Sequence, residues 1–202
     1  MDGTGTPDVH ESADHGGRRT RRHDPRRRER ILDAALEVLV GEGAAGLTHR
    51  KVASLADVPL GSVTYHFASL AGLRAEAFAR YVEQRSAEYE ALFTDVTSRE
   101  DLIDVLVDVV QGGPSRHRSA VLGFELHLAA LRDPALRALT QQWTGSGRAV
   151  LARFTGPETA ARLDALLEGL IMHALLSTDP VPREETRAAI TQTLGPETAP
   201  GT

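Results

Sequence analysis

A short segment in the first third of the chain, THRKVASLADVPLGSVTYHF over residues 48 to 67, constrains the fold more than any other. Thr48 precedes an apolar run and can act as an N-cap, because its hydroxyl can accept a backbone N–H two or three residues on. Asp57 and Pro59 interrupt the run, since proline removes a backbone donor and aspartate tolerates turn geometry. The segment therefore predicts two short helices joined by a tight turn.

The apolar residues of this segment predict how the two helices pack. The first helix has a packing face with small residues where a second helix must cross closely, formed by Val52, Ala53, Leu55 and Ala56. Val58 and Val63 can fill the angle between the two helices. This arrangement describes a helix-turn-helix. The alternative, an ordinary corner between two helices, predicts an outer face of Glu and Lys and no basic flank.

The outer face of the second helix carries short or hydrogen-bonding groups, which suit groove edges and phosphates. These residues are Leu60, Gly61, Ser62, Thr64, Tyr65 and His66. Residues 18 to 74 carry eleven Lys or Arg against six acids, although the formal net charge of the chain is -5. A basic first third on an acidic body indicates that one end meets a polyanion. A solvated charge run without a partner is the alternative.

The rest of the chain shows helical periodicity and no strand-like alternation. A basic first helix, containing ILDAALEVLV, ends near Gly41 and Gly43, and a long amphipathic helix runs from Ser69 to about Phe93. Four prolines lie at or just before the first turn of a further helix, namely Pro114, Pro134, Pro157 and Pro182. We predict an all-α chain of about nine helices. The last five are predicted at about 99–111, 116–131, 135–154, 157–177 and 183–194.

Composition and motifs exclude several classes of protein. The chain has no cysteine, which excludes disulfides, thiolate zinc sites and a cysteine nucleophile. It has no Walker loop, nucleophile elbow or Rossmann fingerprint. Glu125 and His127 point about 200° apart around a helix, so they are not a metal-binding pair. We therefore predict neither an enzyme, nor a metal site, nor a cofactor.

The same features bear on where the protein acts. The apolar run near residue 170 is interrupted by Glu168 and His173, and it falls short of the roughly 20 residues that a membrane span needs. Residues 1 to 17 contain four acids and no apolar run of signal-peptide length. We expect a cytoplasmic protein whose first 17 residues form a disordered tail.

The stretch from Arg27 to Tyr81 resembles the DNA-binding domain of the tetracycline-repressor (TetR-type) family of bacterial transcription regulators. A basic first helix, a Gly-rich turn, a Leu-Thr pair before the second helix and the VPLGSVTYHF recognition helix follow in the family's order. Phe67, Ser69 and Leu73 match the F-x-S-x-x-x-L pattern that begins the family's fourth helix. The resemblance in the remaining two-thirds of the chain is architectural only.

Two residues depart from the family pattern. Asp57 stands where the turn usually has glycine, and Leu70 stands where the last motif usually has lysine. Aspartate is compatible with the turn, because short polar residues visit left-handed conformations. Leu70 lacks the charge with which that lysine contacts a phosphate.

The resemblance implies that several residues position the DNA backbone. Thr48 and the neighbouring amides would hold a phosphate, Gly61 would let the backbone approach the duplex, and Tyr65 and His66 would clamp phosphates. The alternatives are a core aromatic for Tyr65 and simple surface exposure for His66. The Arg cluster at residues 18 to 30 either extends along the DNA as a basic arm or attracts it nonspecifically.

A second group of residues would read the sequence of the DNA. The resemblance implies that Arg50 reaches a base edge or a phosphate, and that Ser62 and Thr64 face bases. The basic arm and the helix-turn-helix would together occupy residues 18 to 84.

For residues 85 to 202 the resemblance implies a small-molecule pocket and a dimer interface, hence a homodimeric repressor released from a palindromic operator by an unidentified effector. Glu125 and His127 interrupt an apolar helix, and a buried carboxylate requires a partner or a ligand. A salt bridge from Glu125 to an arginine is the alternative. Phe124, Trp143 and His173 line the predicted pocket or belong to the core.

Two further expectations concern the second half as a whole. The last two helices are predicted to form the dimer interface, with Leu167 on the face toward the partner. An architectural DNA-binding protein without ligand control is the alternative function.

Overall fold

The computed structural model describes residues 25 to 196 of the chain. Within that range the chain forms nine α-helices and no strand, which confirms the predicted all-α architecture. Their bounds are α1 Arg27–Gly46, α2 His49–Leu55, α3 Leu60–His66, α4 Leu70–Ala91, α5 Arg99–Gln111, α6 Pro114–Ala130, α7 Pro134–Thr155, α8 Pro157–Leu176 and α9 Arg183–Leu194. The predicted tail at 1–17 and the arginines before residue 25 lie outside the described residues. None of the described helices is long and apolar enough to cross a bilayer.

Local signals in the sequence set most helix boundaries. Thr48 and Ser69 cap α2 and α4, because their hydroxyls accept backbone N–H bonds from Lys51 and Gly72. Prolines occupy the first turns of α6, α7 and α8, where a missing N–H costs little. Gly43 breaks α1 before its end, with φ +67° and ψ -175°, a conformation that glycine adopts without strain.

Two apolar clusters form the interior, and α4 runs through both. The first joins α1, α2, α3 and the first half of α4, and includes Ile31, Val63 and Phe78. Buried residues of α6, among them Leu126, belong to the same cluster. The second cluster joins α5, α7, α8 and α9 around Phe93, which lies just after the end of α4, and Tyr89 of α4 packs against it. The N-terminal unit α1–α3, called the head below, therefore packs directly on α4 and α6.

Polar contacts reinforce the seam between the head and α6. Arg118 of α6 forms an ion pair with Glu37 of α1. Glu125, which lies further along α6, accepts at its Oε2 a hydrogen bond of 3.2 Å from the backbone N–H of Ala44 in α1. Because both contacts reach α1, a displacement of α6 would act on the head directly.

Candidate functional site

The turn of the helix-turn-helix is closed by backbone hydrogen bonds and a left-handed aspartate. Val58 N–H donates to the Ala53 carbonyl at 3.0 Å. Asp57 has φ +51°, the conformation for which a glycine would be the usual choice. Val52 and Val63 are fully buried beneath the turn, whereas Leu55 is 55% exposed, so the prediction that Leu55 belongs to the packing face is wrong. The substitution of aspartate for glycine is thus accommodated by the turn itself.

The outer face of α3 is open to solvent. Tyr65 is 84% exposed and Leu60 is 43% exposed, and a Cβ placed on Gly61 would meet nothing within 4 Å. Thr64 is also exposed, while Ser62 and His66 are half-buried. The exposure of Tyr65 excludes the core-aromatic interpretation. Its ring lies edge-on to the His66 ring, with centroids 5.3 Å apart. The two rings therefore pack together at the surface of α3.

Two threonines of the motif bond to the backbone. The Thr48 hydroxyl accepts from Lys51 N–H at 3.2 Å, which is its capping role. The Thr64 hydroxyl donates to the carbonyls of Leu60 and Gly61, each at 3.3 Å. Its oxygen still has acceptor capacity for a base or a phosphate-bound water.

The two cations beside the N-cap of α2 differ in their surroundings. Lys51 forms an ion pair with Glu42. Arg50 is exposed and makes no hydrogen bond or ion pair to another described residue. Arg50 is therefore free to extend toward an approaching duplex.

Arg28 has a structural role that the sequence did not reveal. Its guanidinium lies over the Phe67 ring, 5.3 Å from the centroid, and also forms an ion pair with Glu76. It therefore links α1 to the end of α3 and to α4. A charge run alone cannot distinguish this arginine from one that faces DNA.

A cavity of about 140 Å³ lies among α4, α5, α6, α7 and α8. Aromatic side chains form much of its wall, namely Tyr81, Tyr89, Phe124, His127 and Trp143. The volume is close to that of cavities that hold a single aromatic ring. We call it the aromatic cavity.

Trp143 is the centre of the aromatic wall. The His127 ring stacks on it at 5.6 Å with an interplanar angle of 23°, and the Tyr81 ring meets it edge-on at 5.5 Å. Gly123 admits the indole, because a Cβ there would lie 3.0 Å from Trp143 and 3.1 Å from the Tyr81 hydroxyl. The indole thus packs against both α4 and α6.

Polar groups fix the position of the wall. The Tyr81 hydroxyl donates to the Ser119 carbonyl at 2.7 Å, and burial raises the pKa of Tyr81, so the phenol stays protonated. His127 Nε2 lies 3.5 Å from Oε1 of Glu168. The cavity therefore places one carboxylate beside a stacked pair of aromatic rings.

Comparison with known proteins identifies the family. Residues 31–77 match the family described as "Bacterial regulatory proteins, tetR family", and residues 97–196 match "Tetracyclin repressor-like, C-terminal domain". A putative transcriptional regulator of Streptomyces coelicolor A3(2), SCO7518, is 36% identical, with 85% of this chain and 100% of that chain covered and a TM-score of 0.76. The chain belongs to the tetR family of transcriptional regulators.

Two other comparisons cover very different shares of the chain. The multidrug binding protein EbrR, in its complex with imidazole, is 39% identical, with 89% of this chain and 99% of that chain covered and a TM-score of 0.69. An uncharacterized HTH-type regulator of Xanthobacter autotrophicus is 58% identical over 41 residues, 20% of either chain. The similarity to EbrR extends over nearly the whole fold. The similarity to the Xanthobacter regulator covers only a fifth of that protein.

The structure brings together three of the five residues that the sequence placed in a ligand pocket of this tetR-family regulator. Phe124, His127 and Trp143 line the aromatic cavity, while Glu125 and His173 do not. His173 lies exposed near the end of α8. Glu125 is adjacent to Phe124 on α6 and faces a different direction, as neighbouring residues of a helix do. Its carboxylate contacts Ala44 of the head.

The observed partner of Glu125 is a backbone group, which is not the arginine of the alternative interpretation. Its carboxylate accepts a hydrogen bond from the backbone N–H of Ala44 and forms no ion pair with an arginine of the described residues. Gly43 permits this approach, since a Cβ there would lie 3.1 Å from Oε1 of Glu125. Sequence reasoning also missed Tyr81, Tyr89 and Glu168, which look like ordinary residues of amphipathic helices until α4 and α8 are placed beside α6.

Proposed function

We propose that this tetR-family regulator is a ligand-responsive repressor, a homodimer that binds a palindromic operator and leaves it when a small molecule fills the aromatic cavity. One observation carries the proposal. Two of the five helices that wall the cavity, α4 and α6, are also the helices on which the head packs. Occupation of the cavity and orientation of the head are therefore mechanically linked.

The link runs through a few defined contacts. Tyr81 joins α4 to α6 at the cavity wall, while Arg118 and Glu125 join α6 to α1 at the head. A ligand that fits only when α6 is displaced would favour a different spacing of the two heads of a dimer. Such a ligand shifts the population by its difference in affinity for the two arrangements.

The exposed face of α3 supports docking in the major groove. In a two-fold dimer the two α3 helices would enter successive grooves about 34 to 36 Å apart, so the operator would be pseudo-palindromic. Arg50, Ser62 and Thr64 would then reach base edges. Thr48, Gly61, Leu60, Tyr65 and His66 would position the DNA backbone and allow the close approach.

Mutants of these two groups should behave differently. We expect Arg50→Ala to cost about 1 to 3 kcal/mol of binding and to relax choice at one position of each half-site. Tyr65→Phe should weaken binding to all sequences alike, because a phosphate contact carries no sequence information. Gel-shift titrations over a randomised half-site library measure both effects.

Arg162→Ala, on the exposed surface of α8, is the control, since it removes the same charge as Arg50→Ala far from the head. A uniform loss across the library for Arg50→Ala would assign Arg50 to a phosphate. Unchanged binding for both Arg50→Ala and Tyr65→Phe would overturn the docking.

The chemistry of the cavity favours a flat aromatic ligand with a polar or cationic group. Trp143, Tyr81 and His127 offer ring faces, which attract both rings and cations, and Glu168 supplies a carboxylate beside them. EbrR, which is similar in fold and sequence, has been crystallised with ethidium, proflavin and malachite green. A cation of this class is larger than a single ring, so its complete burial in the cavity would require displacement of the wall.

Malachite green should therefore bind, quench Trp143 and lower operator affinity. Trp143 is the only tryptophan of the chain, so its fluorescence reports the cavity directly. Glu168→Gln should weaken the dye about tenfold or more, as expected for loss of a charged partner. Release of the operator at a fixed dye concentration should weaken in parallel.

This variant also controls for dye that acts on the DNA itself, because such an effect would persist in Glu168→Gln. Dye that quenches Trp143 without changing operator affinity would favour the architectural alternative, a DNA-binding protein without ligand control.

A further inference from the structure

The aromatic cavity has a second, basic end. Arg116 lies in the first turn of α6 and lines the cavity together with Arg85 and Tyr89 of α4. The aromatic centre, Trp143 and His127, is contributed by α7 and by the later turns of α6. The cavity therefore offers an arginine as well as the aromatic wall.

Arg116 differs from the other charged side chains of the wall. Each of the others faces an opposite or titratable partner, in the pairs Arg85–Glu88 at 2.5 Å, Asp164–Arg148 at 2.8 Å and Glu168–His127 at 3.5 Å. The Arg116 guanidinium makes no hydrogen bond or ion pair to another described residue, whereas its backbone N–H is bonded to the Gly113 carbonyl at 2.9 Å. The charge of its guanidinium is therefore not matched at contact distance by the chain.

The carboxylates that attract Arg116 from further away are already engaged. Asp108 and Glu88 both favour its charged form, but Asp108 accepts a hydrogen bond from Arg183 at 2.8 Å and Glu88 pairs with Arg85. Burial and the nearby charge of Arg85 lower the pKa of Arg116. Since a guanidinium keeps its proton in proteins, the group stays charged in surroundings that disfavour the charge.

Gly112 makes room for this side chain. A Cβ at Gly112 would lie 2.6 Å from Nε of Arg116 and 3.0 Å from the carbonyl oxygen of Asp108. Any larger residue would push the guanidinium from its position. The arginine thus occupies a place that the turn between α5 and α6 leaves open only because residue 112 has no side chain.

We propose that Arg116 forms an anion subsite of the aromatic cavity. The ligand carries an oxyanion, such as a carboxylate or a sulfonate, that receives hydrogen bonds from the Arg116 guanidinium while its ring packs on Trp143. Charge-assisted hydrogen bonds of this kind are shorter and stronger than neutral ones. The inference rests on the proposed function for the use of the cavity, and it adds a second chemical requirement to the ligand.

Two fluorescent probes with the same ring system test the subsite. The first, 8-anilinonaphthalene-1-sulfonate, carries one sulfonate, and the second, N-phenyl-1-naphthylamine, lacks it. Energy transfer from Trp143, the only tryptophan, measures the binding of each probe near the indole. We expect the sulfonate probe to bind the full chain more tightly than the neutral probe.

Substitution should separate the two probes. Arg116→Gln should weaken the sulfonate probe about tenfold or more, and the neutral probe by less than about twofold. Gly112→Ala should have the same effect without changing the charge, because it displaces the guanidinium. Arg137→Gln, an exposed arginine of α7, is the control and should leave both affinities unchanged.

Equal losses for the two probes in Arg116→Gln, or equal affinities of the two probes for the unsubstituted protein, would overturn the anion subsite. The neutral probe also detects misfolding, since a collapsed cavity loses both ligands. Failure of the proposed function would look different: the sulfonate probe would bind through Arg116 without altering the affinity for operator DNA.

Discussion

The double substitution Met172→Glu and Leu176→Glu should convert the proposed homodimer into a monomer. These residues are 41% and 76% exposed, and they continue a stripe along α8 that begins at Ala165 and Gly169. The spacing of four, three and four residues places the stripe on one helical face. An exposed apolar stripe that the monomer core does not use is the expected surface for a second copy.

Symmetry enlarges the expected effect. In a two-fold interface each residue appears twice, so two substitutions place four carboxylates in an apolar contact where charge is costly. A monomer holds one half-site only, and operator affinity should fall toward the nonspecific range, a loss of about a thousandfold or more. Light scattering at micromolar concentration measures the mass against the 21.8 kDa chain, and gel shifts measure the affinity.

Gln141→Glu with Gln142→Glu is the matched control, because it adds the same charge to the exposed surface of α7. A dimeric double variant of α8, or an unsubstituted protein that is monomeric at these concentrations, would show that α8 is not the interface.

The helix-turn-helix could be predicted from sequence because its determinants are local. These determinants lie within 20 residues, and each acts on the backbone beside it. They are the N-cap Thr48, the turn residues Asp57 and Pro59, and the valines that fill the angle between the helices, Val58 and Val63. The structure reproduces the left-handed conformation of Asp57. The choice of exposed side chains that contact DNA, in contrast, is predicted from the family resemblance alone.

The cavity could not be predicted with the same accuracy, because five helices contribute to its wall. Leu167 illustrates the difficulty. The sequence placed it on the dimer face, but it is 5% exposed and lines the aromatic cavity. A helix that is apolar on more than one side gives no indication of which side faces the core, since that depends on how α5, α7 and α9 pack around it.

Glu125 shows a different limit of sequence reasoning. A carboxylate on an apolar helix correctly indicated that a partner was required, but the partner is a backbone N–H 81 positions away. Backbone donors have no side-chain signature. The only sign was Gly43, whose missing side chain leaves room for the carboxylate.

Glu125→Ala should uncouple the cavity from the head. Phe124 and His127 face the aromatic cavity from α6, while Glu125 holds the Ala44 N–H on the other side of the same helix. Removal of the carboxylate leaves a part-buried donor unsatisfied, which should lower the free energy of unfolding by about 1 to 3 kcal/mol. Urea denaturation measures this loss.

The effect on ligand response should exceed what lost stability explains. With malachite green as the probe, the ratio of operator affinities without and with dye should fall about fivefold or more in Glu125→Ala, because coupling between two sites is a free energy of order 1 kcal/mol. Glu125→Gln should keep most of the response, since an amide oxygen can still accept the Ala44 N–H.

A pair of glycine variants separates this contact from a general loss of stability. Gly43→Ala should reduce the response as Glu125→Ala does, because its Cβ meets the carboxylate and its φ of +67° disfavours alanine. Gly41→Ala is the control, with nothing within 4 Å of its Cβ. If Glu125→Ala and Gly43→Ala both retained the full response to dye, the signal would have to travel through α4 or through the Arg118–Glu37 ion pair. Glu125 would then be reduced to a stabilising cap on the end of α1.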